Sequence, residues 1–209
     1  MSIVSDIEKL KKEKNAVILA HYYVDEDVQD VADYIGDSFY LSKVATKVSQ
    51  DRIIFAGVEF MGESAKILNP KKRVFMPDMN ADCPMAHMAD KDEILALREK
   101  YDDLAVVCYI NSTAELKKYS DVCVTSSNAV KIVKNLPNKN IFFIPDRNLG
   151  SYVAKQCPDK NFIFNNGCCP RHVVITKDMV LKAKELHTEA RFAAHPECTE
   201  DVLALADYV

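Results

Sequence analysis

Glycine is scarce in this sequence and tryptophan is absent: the 209 residues include five glycines and no tryptophan. Nucleotide-binding loops need several glycines, because the backbone must approach the phosphates closely. No GxGxxG follows a predicted strand, and the one GxxxxG spacing, which begins at Gly57, is followed by Glu63 where a P-loop carries lysine. The sequence therefore disfavours standard nucleotide binding.

The seven cysteines include no CxxC pair, which excludes a thioredoxin-like motif and disfavours a zinc ribbon. Their odd number, together with an N-terminal stretch that is charged rather than apolar, favours a reducing compartment over a disulfide framework. We therefore expect a cytoplasmic protein.

Long apolar runs and an excess of positive charge are also missing. No apolar run approaches the length of about 18 residues that a membrane-spanning helix needs. The net charge is −4, with lysine and arginine spread along the chain, which argues against nucleic acid or an anionic membrane surface as a partner.

Short β-branched or aromatic runs alternate with amphipathic helical patterns along the whole chain. This alternation is typical of an α/β fold with largely parallel sheets, here arranged as tandem three-layer α/β/α domains. Among the individual elements, the pattern predicts a helix over Glu26–Ile35 and a strand over Arg191–Ala194.

The chain also repeats itself with a period of about 87 residues. His21, Tyr109 and His195 follow one another at 88 and 86 positions, and Cys83 and Cys169 are 86 positions apart. Any α/β chain looks periodic at this scale, but packing does not require polar strand-end residues to keep the same spacing. We therefore predict domains over 1–86 and 87–173, with an incomplete third over 174–209, related by a pseudo-threefold axis.

Polar residues follow the first predicted strand of each repeat. Because the carboxyl ends of parallel strands are where α/β proteins bind ligands, these residues are expected to face one crevice. Serines at helix N termini there would hold phosphate or carboxylate, so the pattern favours a small, multiply anionic substrate. The strand-end residues are His21, Tyr23, Tyr109, Asn111, His195 and Glu197, and the serines are Ser38, Ser126 and Ser127.

Seven motifs in fixed order cover essentially the whole chain and resemble the quinolinate synthase family. They are AHYY (Ala20–Tyr23), QDVADYIGDS (Gln29–Ser38), FMGESAKILNP (Phe60–Pro70), DVCVTSSNAVKIV (Asp121–Val133), PDRNLGSYVA (Pro145–Ala154), CCPRH (Cys168–His172) and HPEC (His195–Cys198).

The resemblance implies an enzyme of the transferase class that works in de novo NAD biosynthesis. It would condense iminoaspartate with dihydroxyacetone phosphate, with loss of phosphate and water, to give quinolinate. It also implies a [4Fe-4S] cluster bound by one cysteine from each of three similar domains, with one iron left without a protein ligand. Whether an aspartate oxidase delivers the unstable imine directly is left open.

The resemblance also implies roles for individual residues. Cys83 and Cys169 match two cluster ligands, whereas a third, expected near position 255 by the repeat, is not present in this chain. The expected catalytic residues are Glu197, His195, Tyr23 and Tyr109, and the expected substrate-binding residues are His21, Ser38, Asn111, Ser126, His172, His195 and Glu197.

Two other interpretations stay open at this point. The first is a non-catalytic or truncated fragment that binds anions or metal weakly through Cys83 and Cys169. The second is a thiol redox sensor that uses the adjacent Cys168 and Cys169, which would require an exposed thiol of low pKa.

Overall fold

The computed structural model of the protein describes residues 2–209. Contacts divide the chain into two compact units, the first ending at Cys83 and the second running from Pro84 to Val209. Within the described residues, none of the helices has the length and apolar character needed to cross a membrane.

In the first unit, helices alternate with strands from beginning to end. Its elements are α1 (Ile3–Glu13), β1 (Ala16–His21), α2 (Glu26–Asp30), β2 (Tyr34–Gly36), α3 (Ser38–Lys47), β3 (Arg52–Ala56), α4 (Glu59–Leu68) and β4 (Arg73–Phe75).

The second unit begins with a short 3-10 helix, Pro84–His87, and then follows the same alternation. Its elements are α5 (Lys91–Lys100), β5 (Leu104–Tyr109), α6 (Ala114–Lys118), β6 (Val122–Val124), α7 (Ala129–Asn135), β7 (Asn140–Ile144), α8 (Arg147–Gln156), β8 (Asn161–Phe164), α9 (Lys177–Leu186) and α10 (Glu200–Leu203).

Each unit contains one parallel four-stranded sheet, with strand orders β2-β1-β3-β4 and β6-β5-β7-β8. The strand registers agree as well as the orders. His21 pairs with Gly36 in the first sheet, and Tyr109 pairs with Val124, each 88 positions later, in the second. Helices flank both sheets, so the predicted α/β class with tandem parallel sheets is confirmed.

The central strand β5 explains why the second sheet forms where it does. All six residues of its sequence LAVVCY are buried, as expected for a parallel strand covered on both faces. Successive side chains alternate between the two faces. Cys108 packs on one face in a cluster with Ile94, Val106 and Phe142, whereas the next residue, Tyr109, points to the other face.

Helix α8 lies very close to that other face of the sheet. A Cβ atom on its Gly150 would come 3.0 Å from the ring of Phe143 in β7, so only glycine fits without a shift. At the start of the same helix, Asp146 accepts a hydrogen bond from the N–H of Leu149. This close packing fixes the position of Asp146 at the carboxyl edge of the sheet.

An aspartate clamp ties the first strand of each repeat to the segment that follows. In the second unit, Asp121 Oδ2 accepts a hydrogen bond from the N–H of Val106 at 2.7 Å. The N–H of Asp121 donates in return to the carbonyl oxygen of Val106 at 3.0 Å. Arg98 of α5 completes the clamp, because its Nη2 lies 2.9 Å from Asp121 Oδ2.

The same clamp occurs three times in the chain. The first copy joins Asp33 to Ile18 and Lys11, and the third joins Asp207 to Phe192 and Lys184. The third copy shows that the repeat continues past β8. The domain boundaries at residues 86 and 173 stay a prediction.

Two predicted elements were wrong. The helix expected over Glu26–Ile35 ends at Asp30, and Tyr34–Gly36 forms β2 instead, because the clamp at Asp33 holds this segment beside β1. The strand expected over Arg191–Ala194 is reduced to a single parallel bridge between Ala193 and Tyr208.

The clamp predicts a specific effect on stability. Replacing Asp121 by Ala leaves the fully buried N–H of Val106 without its acceptor, and we expect the free energy of unfolding to fall by about 1–3 kcal/mol. Asp121→Asn keeps an acceptor oxygen and loses only a partly exposed ion pair, which contributes about 0–1 kcal/mol. Urea denaturation, monitored by circular dichroism, measures both changes in the free energy of unfolding. Equal losses in the two variants would contradict the clamp.

Candidate active site

The candidate site in the second unit lies at the carboxyl edge of the sheet. Tyr109 is the last residue of β5, and Asn111 follows it two positions later. Ser126 comes two positions after Val124, the strand partner of Tyr109. Parallel pairing therefore brings these predicted site residues to one edge, as the sequence analysis expected.

The loop after β8 brings Cys169 to this edge. The Cys169 N–H donates to Asp146 Oδ2 at 2.8 Å, and the residue is 8% exposed. The other oxygen of the Asp146 carboxylate, Oδ1, accepts the N–H of Leu149 at 2.7 Å. One buried carboxylate thus holds the cysteine and the first turn of α8 together.

Gly167 allows this loop to lie directly against the end of β7. Its carbonyl oxygen accepts the N–H of Arg147 at 2.8 Å. A Cβ atom on Gly167 would lie 2.5 Å from the carbonyl oxygen of Pro145, which is backbone and has little freedom to move. Asn165 adds a second tie, since its Nδ2 donates to the same Pro145 oxygen at 2.6 Å.

Cys169, His172 and Glu197 meet through the imidazole. His172 Nδ1 lies 2.7 Å from Glu197 Oε2 and 3.1 Å from Cys169 Sγ. Glu197 is 3% exposed, and its other oxygen, Oε1, has no hydrogen-bond partner among residues 2–209. One donor atom from each residue lies within 4.8 Å of the others, so the three could hold a metal ion. We call them the Cys–His–Glu cluster.

His195 lies beside this cluster. Its ring stacks on that of His172 with 4.9 Å between centroids and 26° between planes. Its Nδ1 accepts the N–H of Glu197 at 3.3 Å and lies 3.6 Å from Glu197 Oε2. Asn148 of α8 fixes the same segment, because its Nδ2 donates to the Glu197 carbonyl oxygen at 3.0 Å.

The charges in the site differ between the two histidines. Hydrogen bonds to Cys169 and Glu197 raise the pKa of His172 to about 10, so its imidazole carries a positive charge at neutral pH. Burial lowers the pKa of His195, which therefore stays neutral. Although burial alone would raise the pKa of Glu197, the hydrogen bond from His172 and the two nearby imidazoles lower it below its usual value.

Two further buried groups hold protons more tightly than usual. Burial and the negative charge of Glu197 raise the pKa of Tyr109 well above its ordinary value, so this phenol stays protonated. Burial raises the pKa of Asp146 to about 6, although the hydrogen bond from the Leu149 N–H opposes the rise.

An open cleft of about 490 Å³ lies beside His195. Its walls include Ser126, Ser127 and His195, joined by Tyr152 and Gln156 of α8. The structure therefore brings Ser126 and His195, two predicted substrate-binding residues, to one cleft.

The remaining predicted residues belong to the first unit. His21 ends β1 and is buried, which lowers its pKa, and its Nδ1 accepts the N–H of Tyr23 at 3.2 Å. The Tyr23 side chain is 88% exposed. Ser38 begins α3 and Cys83 is half-buried.

Asp146 is the main residue of the site that the sequence analysis did not single out. It lies in the motif Pro145–Ala154. Comparison of the two repeats could have identified it, because the corresponding residue 88 positions earlier, directly before α4, is the apolar Val58. A carboxylate in place of an apolar residue at a buried strand end indicates a polar partner, here the N–H of Cys169. The binding and catalytic roles of all these residues stay predictions.

Comparison with known proteins finds one family along almost the whole chain. The sequence model of the family described as Quinolinate synthetase A protein matches residues 5–209. The quinolinate synthase of Fusobacterium nucleatum is 62% identical over 203 residues, which are 97% of this chain and 68% of the relative.

Two further relatives carry the same name. The quinolinate synthase of Caldicellulosiruptor saccharolyticus is 54% identical over 99% of this chain and 68% of its own length. That of Clostridioides difficile is 50% identical over 97% of this chain and 67% of its own length. Because the match covers nearly every residue described above, the chain belongs to the quinolinate synthetase A family.

Proposed function

We propose that the chain carries the active-site residues of a quinolinate synthase. The reaction is the condensation of iminoaspartate with dihydroxyacetone phosphate, with loss of phosphate and water, in de novo NAD biosynthesis. The observation that carries this proposal is the Cys–His–Glu cluster, in which a thiol, a charged imidazole and a buried carboxylate meet beside Tyr109. The curated relatives of that name support it.

Cys83 and Cys169 are the residues that would hold a [4Fe-4S] cluster, with a third cysteine supplied from outside residues 2–209. The donor chemistry fits, because thiolates are the usual ligands of such clusters. Cys169 is prepared for this role, since its backbone is held by Asp146 and its sulfur lies 3.1 Å from Nδ1 of the charged His172 imidazole. When bound, the open iron would act as a Lewis acid toward a substrate hydroxyl or carboxylate.

Proton transfer would fall to Glu197, His195 and Tyr109. A carboxylate with a lowered pKa is a weak base by itself, so we assign proton removal from substrate carbon to Glu197 together with neutral His195. Tyr109, which keeps its proton, would act as a proton donor during loss of phosphate or water. Tyr23 would serve the same step from the first unit.

The other polar residues would bind and orient the substrates. His172 carries a positive charge beside the site and would attract their carboxylates. Asn111 and His21 would orient carboxylates or carbonyls. Ser38, the first residue of α3, and Ser126, in the turn that precedes α7, would hold phosphate or carboxylate.

Anaerobic reconstitution with iron and sulfide, followed by an iron count and an assay for quinolinate, tests the proposal. It should be done on this chain and on the same chain extended with the part of the Fusobacterium nucleatum relative that this chain does not match. We expect about four irons per extended chain and formation of quinolinate from the two substrates. Absence of quinolinate from the extended chain would overturn the proposal.

In the active preparation, we expect Glu197→Gln to lower kcat by at least about 100-fold, because the amide cannot accept a proton. Glu200→Gln is the matched control, since Glu200 is an exposed carboxylate three residues away that pairs with Lys155. It should leave kcat unchanged. Normal turnover of Glu197→Gln at full iron content would contradict the assignment of the base.

The raised pKa of His172 predicts a pH dependence of stability in the chain without metal. The charged imidazole stabilises the fold fully below its unfolded pKa of about 6.5, and this contribution is lost as the pH rises through about 10. Wild type should therefore melt several degrees above His172→Gln at pH 6, and the difference should disappear by pH 10. Thermal melts between these pH values measure it, with His187→Gln as the control for an exposed histidine. A difference that grows with pH would contradict the charged state.

A further inference from the structure

Cys108 and Cys123 face each other across two neighbouring strands. They are direct register partners in the parallel pair β5 and β6. Neighbouring strands lie about 4.8 Å apart, and paired side chains point to the same face of the sheet. This separation falls inside the Cα–Cα range of about 4.4–6.8 Å that disulfides span.

The fold does not require thiols at these two positions. The equivalent pair in the first sheet, 88 positions earlier, is Ala20 and Ile35, which are partners in the same register. Because two apolar residues fill the same place in the same strand order, packing alone does not account for two sulfur atoms in the second sheet.

The two cysteines differ in access to solvent. Cys108 is fully buried, whereas Cys123, on the edge strand β6, is exposed. An oxidant in solution would therefore reach Cys123 first. Cys108 is placed to react only with its neighbour.

The surroundings of Cys108 favour a thiolate. Hydrogen bonding between the two thiols, which outweighs burial at Cys108, lowers the pKa of Cys108 and raises the pKa of Cys123, so the pair gives up one proton readily and holds the second tightly. As a thiol, Cys108 donates instead to the Tyr109 carbonyl oxygen at 3.4 Å. The buried Ser112 hydroxyl has no hydrogen-bond partner within the described part of the chain, so no other acceptor competes there with a Cys108 thiolate.

We propose that Cys108 and Cys123 are a modification site at which a small-molecule disulfide forms a reversible intramolecular disulfide bond. The pair first loses one proton to solvent, and when the negative charge lies on the exposed Cys123 sulfur, that sulfur attacks the reagent. The attack forms a mixed disulfide and releases one thiolate, which takes up a proton. The Cys108 thiolate then attacks the Cys123 sulfur and expels the second thiol. The two cysteines are oxidised, and the reagent is reduced to two thiols.

The bond would form next to the candidate site. Cys108 immediately precedes Tyr109, and Cys123 lies three residues before Ser126. The proposal nevertheless stands on the sheet register and solvent access alone, so it does not depend on the proposed function.

Oxidised glutathione added to the folded chain tests the proposal. Trypsin separates the two cysteines into peptides 101–117 and 119–131, each of which contains one cysteine. We expect mass spectrometry of a non-reducing digest to show these peptides joined, with the intact protein at monomer mass and lighter by two hydrogen atoms. Dithiothreitol should restore both thiols.

Variants separate the two steps. Cys108→Ala should accumulate one glutathione on Cys123, because the attacking thiolate is missing. Cys123→Ser should leave Cys108 reduced, because the oxidant cannot reach it. Cys157→Ser removes another buried cysteine outside this pair and should form the 108–123 bond as wild type does.

The double variant Cys108→Ala with Cys123→Ile carries the same residue types as the Ala20–Ile35 pair of the first sheet and serves as a folding control. It should keep the circular dichroism spectrum of wild type and form no joined peptide. A stable glutathione adduct on Cys123 in wild type would overturn the proposal. So would a joined peptide that appears only after denaturation, or oxidation confined to Cys168 and Cys169.

Discussion

An aspartate that accepts a hydrogen bond from a strand N–H sets the geometry on which both sheets depend. Asp33 and Asp121 hold the first strand of each sheet next to the short edge strand that follows. This fixes the register at one residue pair, and because side chains in a strand alternate, a slip by one residue would turn every strand-end side chain away from the site. The clamp therefore determines that Tyr109 ends β5 on the side of Glu197 and that Cys108 faces the opposite side of the sheet.

The candidate site depends on a second buried carboxylate that the repeat does not share. Asp146 ties the N–H of Cys169 to the start of α8, and Asn148 in the same helix holds the carbonyl of Glu197. Helix α8 thus orients two members of the Cys–His–Glu cluster, although those residues lie far apart in the sequence. His172 then contacts both with one imidazole, whose positive charge offsets the negative charge of the buried Glu197 carboxylate.

The two sheets show how one fold can serve different chemistry. The same strand order and register present His21 in one unit and Tyr109 in the other. The apolar pair of Ala20 and Ile35 becomes a pair of thiols in Cys108 and Cys123. Cysteine behaves as a small hydrophobe and can replace a buried alanine such as Ala20, and the larger Ile35 corresponds to Cys123 on an exposed edge strand, where a change of volume costs little in packing. Specific chemistry can therefore be added to one repeat without changing the sheet.

The sequence by itself was sufficient to predict the α/β class, the repeat and the family, because alternating patterns and ordered motifs are local signals. It also placed Tyr109 at the end of a strand, as the structure has it. It could not predict the edge strand Tyr34–Gly36, since three residues carry too little periodicity and only the contact of Asp33 with Ile18 holds them in place. Nor could it show that His172 lies between Cys169 and Glu197, or that Cys108 meets Cys123. Those contacts depend on strand register and on helix packing. Both are properties of the tertiary structure and cannot be derived from local sequence patterns.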